Sequence, residues 1–423
     1  MSKKFTVIVL SAGESSRFAP LAENRHKSLT KLLGKELIRH SIESALNSGA
    51  NKVIIVHGPG QEEKFRDALN GLDNVIFVLQ PEPKGMGNAL LHAANHIDSN
   101  FIVFNADRHD ASDYIKHLIE KSEKTGAELA LLCSPTKDTY KYGIAEFDPN
   151  IQDKIIAIHE KPGVGAPSNQ RVVGIYYLPQ NFLDYYKRIN EHQYAFEDAI
   201  SLYSKENNSR AAFIDEAPSS TKYAFDLLNK ARELTSRIKR KKIAKGVKIA
   251  KSAVIEGAVE ISEGSRIFEN AVIKGPVYIG KNCRIGNNAL IRENSIIEDG
   301  CIIGMNTEVT RSVILEGTHI HSGFIGDSVI GQNCRLGANF ISANRRLDRA
   351  NIKFIVKGEQ VDSGKKSLGC IIGENTKAGV NVATMPGTII GANCIIGSGT
   401  EVKGNVPSGS IVYEKRENIN YAK

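Results

Sequence analysis

The second half of the chain is patterned by an aliphatic residue at every sixth position. The repeat runs without a gap through Ile243, Ile249, Ile255, Ile261, Ile267, Ile273, Ile279, Ile285, Ile291, Ile297, Ile303, Val309 and Leu315. From Ile255 onward, the residue two places earlier is small or β-branched, as at Ser265 and Cys283. The phase returns at Ile372 and continues to Val402. A period of six fits neither an α-helix nor an alternating strand, and it predicts a parallel β-helix with a narrow aliphatic core.

The first half has a different pattern, in which apolar runs alternate with amphipathic segments. The apolar runs are Phe5–Leu10, Val53–Val56, Val75–Leu79, Phe101–Phe104 and Leu129–Cys133. The helix-like stretches are Glu36–Ser48, Glu62–Leu69, Asn88–His96 and Asp113–Thr125. Buried strands separated by helices predict an α/β domain with a parallel, doubly wound, Rossmann-like sheet. Ligands of such sheets bind at the carboxyl ends of the strands.

Charge narrows the range of partners. The 423 residues carry a net charge of +8, but Lys and Arg are spread along the chain. The dense run Arg237–Lys242 lies just before the first rungs and has no interleaved aromatic residues. We therefore interpret it as an inter-domain segment and expect anionic phosphorylated ligands and no nucleic acid.

Cysteine spacing and hydropathy indicate the compartment. The six cysteines form no Cys-x-x-Cys pair, and five of them occupy small positions of the rungs. They are predicted to be packing residues, with no disulfide or zinc framework. The first residues lack the apolar core of a secretory signal, and no apolar run is long enough to span a bilayer. We expect a cytoplasmic protein with no membrane partner.

The loop after the first strand has the composition of a phosphate-binding turn. Its small residues let backbone amides approach phosphate oxygens, and Arg17 and Lys27 supply positive charge. The loop is neither a Walker A motif nor Gly-x-Gly-x-x-Gly. It resembles the signature of sugar-1-phosphate nucleotidyltransferases, Ala-Ala-Gly-x-Gly-Thr-Arg-x-x-Pro followed by Lys-Pro-Leu, although Ser15 replaces the second glycine. The resemblance implies catalytic roles for Arg17 and Lys27 and nucleotide binding by Leu10, Ser11, Ala12 and Gly13.

Later segments resemble the same family in the same order. Gln80 and Gly85 match the segment that holds the nucleotide base, and Asp107, after the strand Phe101–Phe104, matches an aspartate that binds Mg²⁺. The resemblance assigns the sugar to Gly143, Glu160 and Gly174. Val172 stands where the family has a polar sugar contact, and Ser220 stands at the second metal-ligand position. The residue matching Asp226 opens a helix, so we interpret Asp226 as an N-cap.

The reaction that the resemblance implies is an in-line transfer. The oxygen of a sugar 1-phosphate attacks the α-phosphorus of a nucleoside triphosphate, and pyrophosphate leaves. No covalent nucleophile is needed, because Arg17, Lys27 and Mg²⁺ on Asp107 would orient the groups and neutralise developing charge.

The six-residue phase stops after Leu315 and restarts at Ile372, and a regular scaffold interrupted in one place is where a site is expected. The interruption resembles the acetyltransferase half of bifunctional amino-sugar-1-phosphate enzymes of the archaeal type. That resemblance makes His321 the general base, with His319 as the competing candidate. Residues expected to contact substrate or acetyl-CoA are Phe324, Asn344, Lys353, Lys365 and Lys366. Phe324 replaces a tyrosine of the family.

These observations define one hypothesis and two alternatives. The domains are predicted to be a nucleotidyltransferase at 1–232, a basic linker at 233–242, a left-handed β-helix at 243–412 and a polar tail at 413–423. The hypothesis is a bifunctional enzyme that uses UTP, acetyl-CoA and amino-sugar 1-phosphates, and the family implies a homotrimer. One alternative is a monofunctional hexose-1-phosphate nucleotidyltransferase using dTTP or GTP, in which the β-helix serves assembly. The other is a non-catalytic regulatory scaffold.

Overall fold

The computed structural model describes residues 5–415, which divide into two compact units. The first, here called the α/β unit, comprises the residues up to Glu14 together with Lys35–Pro218. The second, here called the β-helix unit, comprises Ser15–Gly34 together with the residues from Ser219 onward. The predicted domain boundary at 232 therefore differs from this division by packing. Of the predicted polar tail, residues 416–423 lie outside the described residues, as do residues 1–4.

The secondary structure before the β-helix alternates between strands and helices. The strands are β1 (Thr6–Ser11), β2 (Lys31–Leu32), β3 (Lys35–Glu36), β4 (Lys52–His57), β5 (Val75–Leu79), β6 (Phe101–Asn105), β7 (Leu129–Pro135), β8 (Gly143–Phe147), β9 (Ile155–Glu160), β10 (Gln170–Leu178) and β11 (Ser209–Phe213). The helices are α1 (Leu37–Asn47), α2 (Glu62–Ala68), α3 (Met86–Ala93), α4 (Ala111–Thr125), α5 (Phe182–Tyr186), α6 (Ala195–Glu206) and α7 (Leu227–Thr235). All five predicted apolar runs are strands.

The sheet of the α/β unit has the strand order β11-β7-β10-β6-β1-β4-β5. Strand β1 pairs in parallel with β4 and β6, and β4 pairs in parallel with β5, as the pattern predicts. Strand β10 lies antiparallel between β6 and β7. Helices cover both faces of the sheet, so its parallel strands have no polar side. This is why they appear in the sequence as short, uninterrupted apolar runs. The carboxyl ends of β1, β4, β5 and β6 consequently share one edge.

The β-helix is a left-handed parallel coil with three flat faces. The first face contains Lys242–Ile243, Val259–Ile261, Val277–Ile279, Ser295–Ile297, Val313–Ile314, Val329–Ile330, Cys370–Ile372, Thr388–Ile390 and Asn405–Val406. The second contains Lys248–Ile249, Arg266–Ile267, Arg284–Ile285, Ile302–Ile303, His319–Ile320, Arg335–Leu336, Lys377–Ala378, Ile395–Ile396 and Ile411–Val412. The third contains Val254–Glu256, Val272–Lys274, Leu290–Arg292, Thr307–Thr310, Gly323–Gly326, Phe340–Ser342, Ala383–Thr384 and Glu401–Val402.

The core of the β-helix confirms the six-residue pattern from Ile261 to Val309, with Ile255 partly buried against it, and corrects the pattern afterwards. Ile243 and Ile249, the first two residues of the predicted repeat, are exposed. Ile314, not Leu315, pairs with Ile297 and enters the core. The coil therefore continues with some rungs of five residues, and Ile320 and Ile325 follow in the core. The prediction of a long break from Leu315 was wrong because shorter rungs change the sequence phase without ending the hydrogen-bonded stacking.

One insertion does leave the coil. It spans residues 343–369, between the third-face strand Phe340–Ser342 and the first-face strand Cys370–Ile372. It contains an antiparallel hairpin of Lys353–Val356 and Glu359–Asp362. Five cysteines of the coil are free and buried, which confirms their prediction as packing residues: Cys283, Cys301, Cys334, Cys370 and Cys394.

The segment that enters the β-helix is packed against it. Helix α7 runs three residues into the predicted linker, and the Thr235 hydroxyl donates to Asn294 Oδ1 at 3.1 Å. Phe225, just before α7, meets Phe354 of the inserted hairpin edge to face, with ring centroids 4.7 Å apart. Residues 219–235 thus belong with the β-helix because their apolar face is buried there. Among residues 5–415, no helix is long and apolar enough to cross a membrane.

Candidate functional sites

The predicted nucleotide and metal residues lie at adjoining strand ends of the α/β unit. Leu10 of β1 pairs with Asn105 of β6, and the Ala106 N–H donates to the Leu10 carbonyl at 3.3 Å. Asp107 follows directly and is 6 % exposed. A Cβ on Gly174 would lie 3.9 Å from Asn105 Nδ2. The parallel register of β1 and β6 therefore brings Leu10 and Asp107 to one edge, and the antiparallel pairing of β10 with β6 places Gly174 near Asn105.

The two residues predicted to hold the base contact each other. Gln80 follows β5 and is 2 % exposed. Its Nε2 donates to the Gly85 carbonyl at 3.3 Å and to Asn88 Oδ1 at 2.8 Å. Gly85 precedes α3 with φ of 95°, a conformation that side chains rarely adopt. The amide of Gln80 is therefore held in one orientation at the start of a helix.

The predicted sugar residues Gly143 and Glu160 are cross-strand partners in β8 and β9. A Cβ on Gly143 would lie 2.9 Å from Glu160 Oε2, so glycine leaves room for the carboxylate. Glu197, which sequence reasoning missed, interacts electrostatically with Glu160 from the first turn of α6. Burial, with a further contribution from Glu160, raises the pKa of Glu197 to about 7. The acidic pair Glu197-Asp198 opening an amphipathic helix was the available signal.

The surroundings of Asp107 bear on whether it can hold Mg²⁺ together with a triphosphate. Arg108 Nε lies 3.7 Å from Asp107 Oδ1, and both side chains are almost completely buried. Within residues 5–415, no group of three or more His, Cys, Asp or Glu side chains is arranged to hold a metal. Mg²⁺ is commonly bound by one or two carboxylates together with substrate phosphates and water. Mg²⁺ on Asp107 would therefore need phosphates and water to complete its coordination.

Arg17 and Lys27, the predicted catalytic residues, lie in the segment Ser15–Gly34, here called the loop 15–34, which belongs to the β-helix unit. Ser15 has φ of 55°, in the left-handed region where glycine is favoured, and its hydroxyl accepts the Lys27 N–H at 3.0 Å. The serine therefore keeps the glycine-like turn and adds a hydrogen bond across the loop. Arg17 is exposed. Lys27 Nζ donates to the Thr221 carbonyl at 2.5 Å.

Asp226 has the structural role that the sequence indicated. Its Oδ2 accepts the N–H groups of Lys222 and Tyr223 at 2.8 and 2.7 Å. Burial raises the pKa of the carboxyl group, and Lys365 and Lys27 act in the opposite direction. Asp226 therefore organises the turn before α7.

Two predicted acetyl-transfer residues meet at the mouth of the insertion. A Cβ on Gly326 would lie 2.6 Å from Phe324 Cζ and 2.8 Å from Asn344 Nδ2, so the glycine makes room for both. Asn344 Nδ2 donates to Asp327 Oδ2 at 2.6 Å. Arg311 binds the same carboxylate through two nitrogens, at 2.8 and 2.9 Å. Arg311 and Asp327, both absent from the sequence-based site, thus fix the orientation of Asn344.

The remaining predicted residues have different environments. His321 is exposed just beyond the strand His319–Ile320, whereas His319 is half-buried and paired in register with Arg335. Burial and the charge of Arg335 lower the pKa of His319. Lys353 and Lys366 are exposed. The structure does not group Lys365 with them, because its Nζ donates to Asn229 Oδ1 of α7 at 2.6 Å and burial lowers its pKa.

Comparison with known families separates the chain into matching parts. The nucleotidyl transferase family model matches residues 6–218. The model for the GlmU-like, C-terminal hexapeptide matches residues 220–311, and the model for the GMPPB C-terminal domain matches residues 273–366. A bacterial transferase hexapeptide model of six repeats matches residues 369–404.

Curated relatives match over nearly the full length. The bifunctional protein GlmU of Methanocaldococcus jannaschii is 32% identical over 419 residues, covering 97% of this chain and 98% of the relative. That of Methanococcus maripaludis strain C7 is 36% identical over 420 residues, covering 97% of each. The bifunctional sugar-1-phosphate nucleotidylyltransferase/acetyltransferase of Sulfurisphaera tokodaii is 30% identical over 415 residues, covering 95% and 98%. The chain therefore belongs to the bifunctional GlmU family and is a sugar-1-phosphate nucleotidyltransferase joined to an acetyltransferase-type β-helix.

Proposed function

We propose that this enzyme acetylates glucosamine 1-phosphate with acetyl-CoA and transfers UMP from UTP to the resulting N-acetylglucosamine 1-phosphate. The observation that supports it most is that each half has an ordered set of polar groups. Gln80, Asp107 and Glu160 lie at strand ends of the α/β unit. In the coil, Asn344 is oriented by Asp327, and His321 is exposed.

In nucleotidyl transfer, the oxygen of the sugar 1-phosphate attacks the α-phosphorus of UTP, and the bond to pyrophosphate breaks. Arg17 and Lys27 neutralise charge on the triphosphate, and the amides of Leu10, Ser11, Ala12 and Gly13 bind its oxygens. Gln80 and Gly85 hold the base, while Gly143, Glu160 and Gly174 hold the sugar. Asp107 holds Mg²⁺, which supplies further charge neutralisation when bound. Ser220 replaces the family's second metal ligand and Val172 replaces a polar sugar contact. Other groups therefore supply both interactions.

In acetyl transfer, the 2-amino nitrogen attacks the thioester carbonyl, the carbon–sulfur bond breaks, and coenzyme A leaves as the thiolate. His321 accepts the ammonium proton as general base, since imidazole is the side chain best suited to proton transfer near neutrality. Asn344 and Phe324 contact the substrate, and Lys353 and Lys366 meet phosphate groups of coenzyme A. Lys365, which already contacts Asn229, would have to leave this partner to reach the cofactor.

We also propose a cytoplasmic homotrimer. Six free, buried thiols are compatible with a reducing compartment. Apolar side chains exposed on rungs of the coil, such as Ile395 at 48% and Ile411 at 67%, provide area for contacts between copies. Light scattering at several protein concentrations measures the assembly. A monomeric mass at all of them would contradict the trimer.

The deciding experiment separates the two reactions. Pyrophosphate release is measured for UTP, dTTP, GTP, ATP and CTP against glucose, glucosamine and N-acetylglucosamine 1-phosphates, with and without Mg²⁺. Thiol release from acetyl-CoA is measured with glucosamine 1-phosphate. UTP with N-acetylglucosamine 1-phosphate is expected to give the highest kcat/KM. Turnover with dTTP or GTP and a neutral hexose, without thiol release, would favour a monofunctional transferase, and silence of folded protein in both assays would favour a scaffold.

A further inference from the structure

The loop 15–34, which contains the proposed catalytic Arg17 and Lys27, is packed into the β-helix unit. Several of its side chains are buried, including Phe18, Thr30 and Leu32, each at 0% exposure. By packing, the loop groups with the coil. The β-helix therefore supplies part of the environment of the two catalytic side chains.

Polar contacts between the loop and successive coils reinforce this packing. Lys31 Nζ lies 2.5 Å from Glu316 Oε1, and Arg25 Nη1 donates to Gln332 Oε1 at 3.1 Å. Nearer the end of the coil, the Ser408 hydroxyl donates to Glu23 Oε1 at 2.6 Å. Partly buried and exposed pairs of this kind contribute little each, about 0–1 kcal/mol. The loop also makes one fully buried contact.

Glu298 makes that buried contact. Its Oε2 accepts the N–H of Gly34 at 3.0 Å, and the side chain is completely buried. Leu33 and Gly34 have φ of 56° and 73°, so the turn has two consecutive left-handed residues. A Cβ on Gly34 would lie 2.6 Å from the hydroxyl of Tyr278, which seats the turn closely against the coil.

The coil itself does not require a glutamate at position 298. Glu298 occupies the corner directly after a core aliphatic of the first face, where its N–H donates to Ile314 of the next coil. Glycine occupies the equivalent corner in other coils, and its N–H makes the same kind of bond: Gly280, Gly331, Gly373 and Gly391. Since glycine can fill this corner, the coil does not explain the buried acidic side chain of Glu298. Its contact with the turn of the loop 15–34 does.

We propose that Glu298 is a positioning residue for nucleotidyl transfer, which holds the loop 15–34 through the Gly34 N–H so that Arg17 and Lys27 keep their working conformation. The inference rests on the proposed function of those two side chains. It makes the β-helix a participant in nucleotidyl transfer through a contact that takes no part in acetyl transfer.

The test compares three variants of the full-length enzyme. Glu298→Ala removes the acceptor, and the coil tolerates a small residue there. Glu298→Gln retains an uncharged oxygen for the Gly34 N–H. Glu263→Ala is the matched control, because Glu263 is an exposed corner residue of the same face that pairs with Lys281 on the coil itself. For each variant, kcat and KM for UTP, acetyl transfer and amide hydrogen exchange in residues 15–34 are measured.

Loss of one buried hydrogen bond is expected to lower nucleotidyl kcat/KM by about tenfold in Glu298→Ala, mainly through KM for UTP. Exchange in residues 15–34 should accelerate, acetyl transfer should stay at the wild-type rate, and Glu298→Gln should recover most of the loss. Unchanged nucleotidyl kinetics and exchange in Glu298→Ala would overturn the proposal, as would an equal loss in Glu263→Ala or a parallel loss of acetyl transfer. Exchange needs no turnover, so a wild-type enzyme inactive with every nucleotide would refute the proposed function while still testing Glu298.

Discussion

Docking of the loop 15–34 on Glu298 should depend on pH, and the raised pKa of this buried carboxyl group sets the size of the effect. Burial raises the pKa of Glu298 from its ordinary value of 4.5 to about 8, and the neighbouring Asp299 and Glu316 add to the rise. If the loop detaches, the carboxyl group meets water and returns toward its ordinary value. The docked state then binds the proton more tightly, so docking is fully favoured below about pH 4.5 and is weakened as pH rises through about 8.

The magnitude follows from the linkage relation. A difference of about 3.5 between the two pKa values, at about 1.4 kcal/mol each, corresponds to a maximum of about 5 kcal/mol. The side chain is completely buried, so solvent does not screen this interaction. Between pH 6 and pH 8 the equilibrium for loop opening should rise by about fiftyfold, or about 2 kcal/mol. Glu298→Gln keeps the acceptor but cannot ionise, so its opening equilibrium should lack this increase.

Amide hydrogen exchange of the Leu33 and Gly34 N–H groups at pH 6 and pH 8 measures the effect. The intrinsic exchange rate also rises with pH, but it is the same in wild type and Glu298→Gln and cancels in their ratio. Both proteins also contain the other ionisable groups nearby, so the effects of these groups on exchange cancel to first order in the ratio. These groups are Asp299, Glu316, Lys31 and Tyr278. A wild-type to variant ratio that is equal at the two pH values would refute a buried, neutral Glu298.

Three further predictions concern the proposed catalytic groups. Asp107→Asn should abolish Mg²⁺-dependent pyrophosphate release while acetyl transfer continues, and unchanged release would contradict the metal assignment. His321→Ala should lower acetyl-transfer kcat by about 10²–10⁴-fold, with His319→Ala as the matched control, and a larger loss in the control would transfer the role of base to that residue. Arg311→Ala should lower acetyl-transfer kcat/KM by about tenfold or more, because the carboxylate that orients Asn344 loses its two hydrogen bonds from the guanidinium, whereas pyrophosphate release should not change.

The site residues of the α/β unit illustrate how far local pattern extends. Asp107 and Leu10 could be placed at one edge of the sheet because Leu10 lies at the end of one buried strand and Asp107 follows another, and parallel strands end on the same side. The contact between Gln80 and Gly85 also lies within a short stretch of chain. Glu197 could not be found in this way, because its proximity to Glu160 depends on how α6 packs against β9.

In the β-helix, the local pattern predicts the scaffold better than it predicts the site residues. Its period of six specified the coil and its small interior positions, including Cys283 and Cys301. The pattern failed at Leu315, because a rung of five residues satisfies the same hydrogen bonding as a rung of six. Arg311 and Asp327 were missed for a related reason: their pairing joins neighbouring coils, and sequence spacing alone does not reveal which corner residues become stacked.

The sequence by itself determined the two architectures, the strand-end location of the nucleotide residues and the family, since these depend on local periodicity and short motifs. The tertiary structure decided that residues 15–34 pack with the β-helix, that Lys365 contacts Asn229, and that Glu298 meets Gly34. Those contacts join residues far apart in the chain, and their energy comes from burial and hydrogen bonding that exist only after the coil has formed. No spacing rule relates a turn near the start of the chain to a corner of the fourth coil.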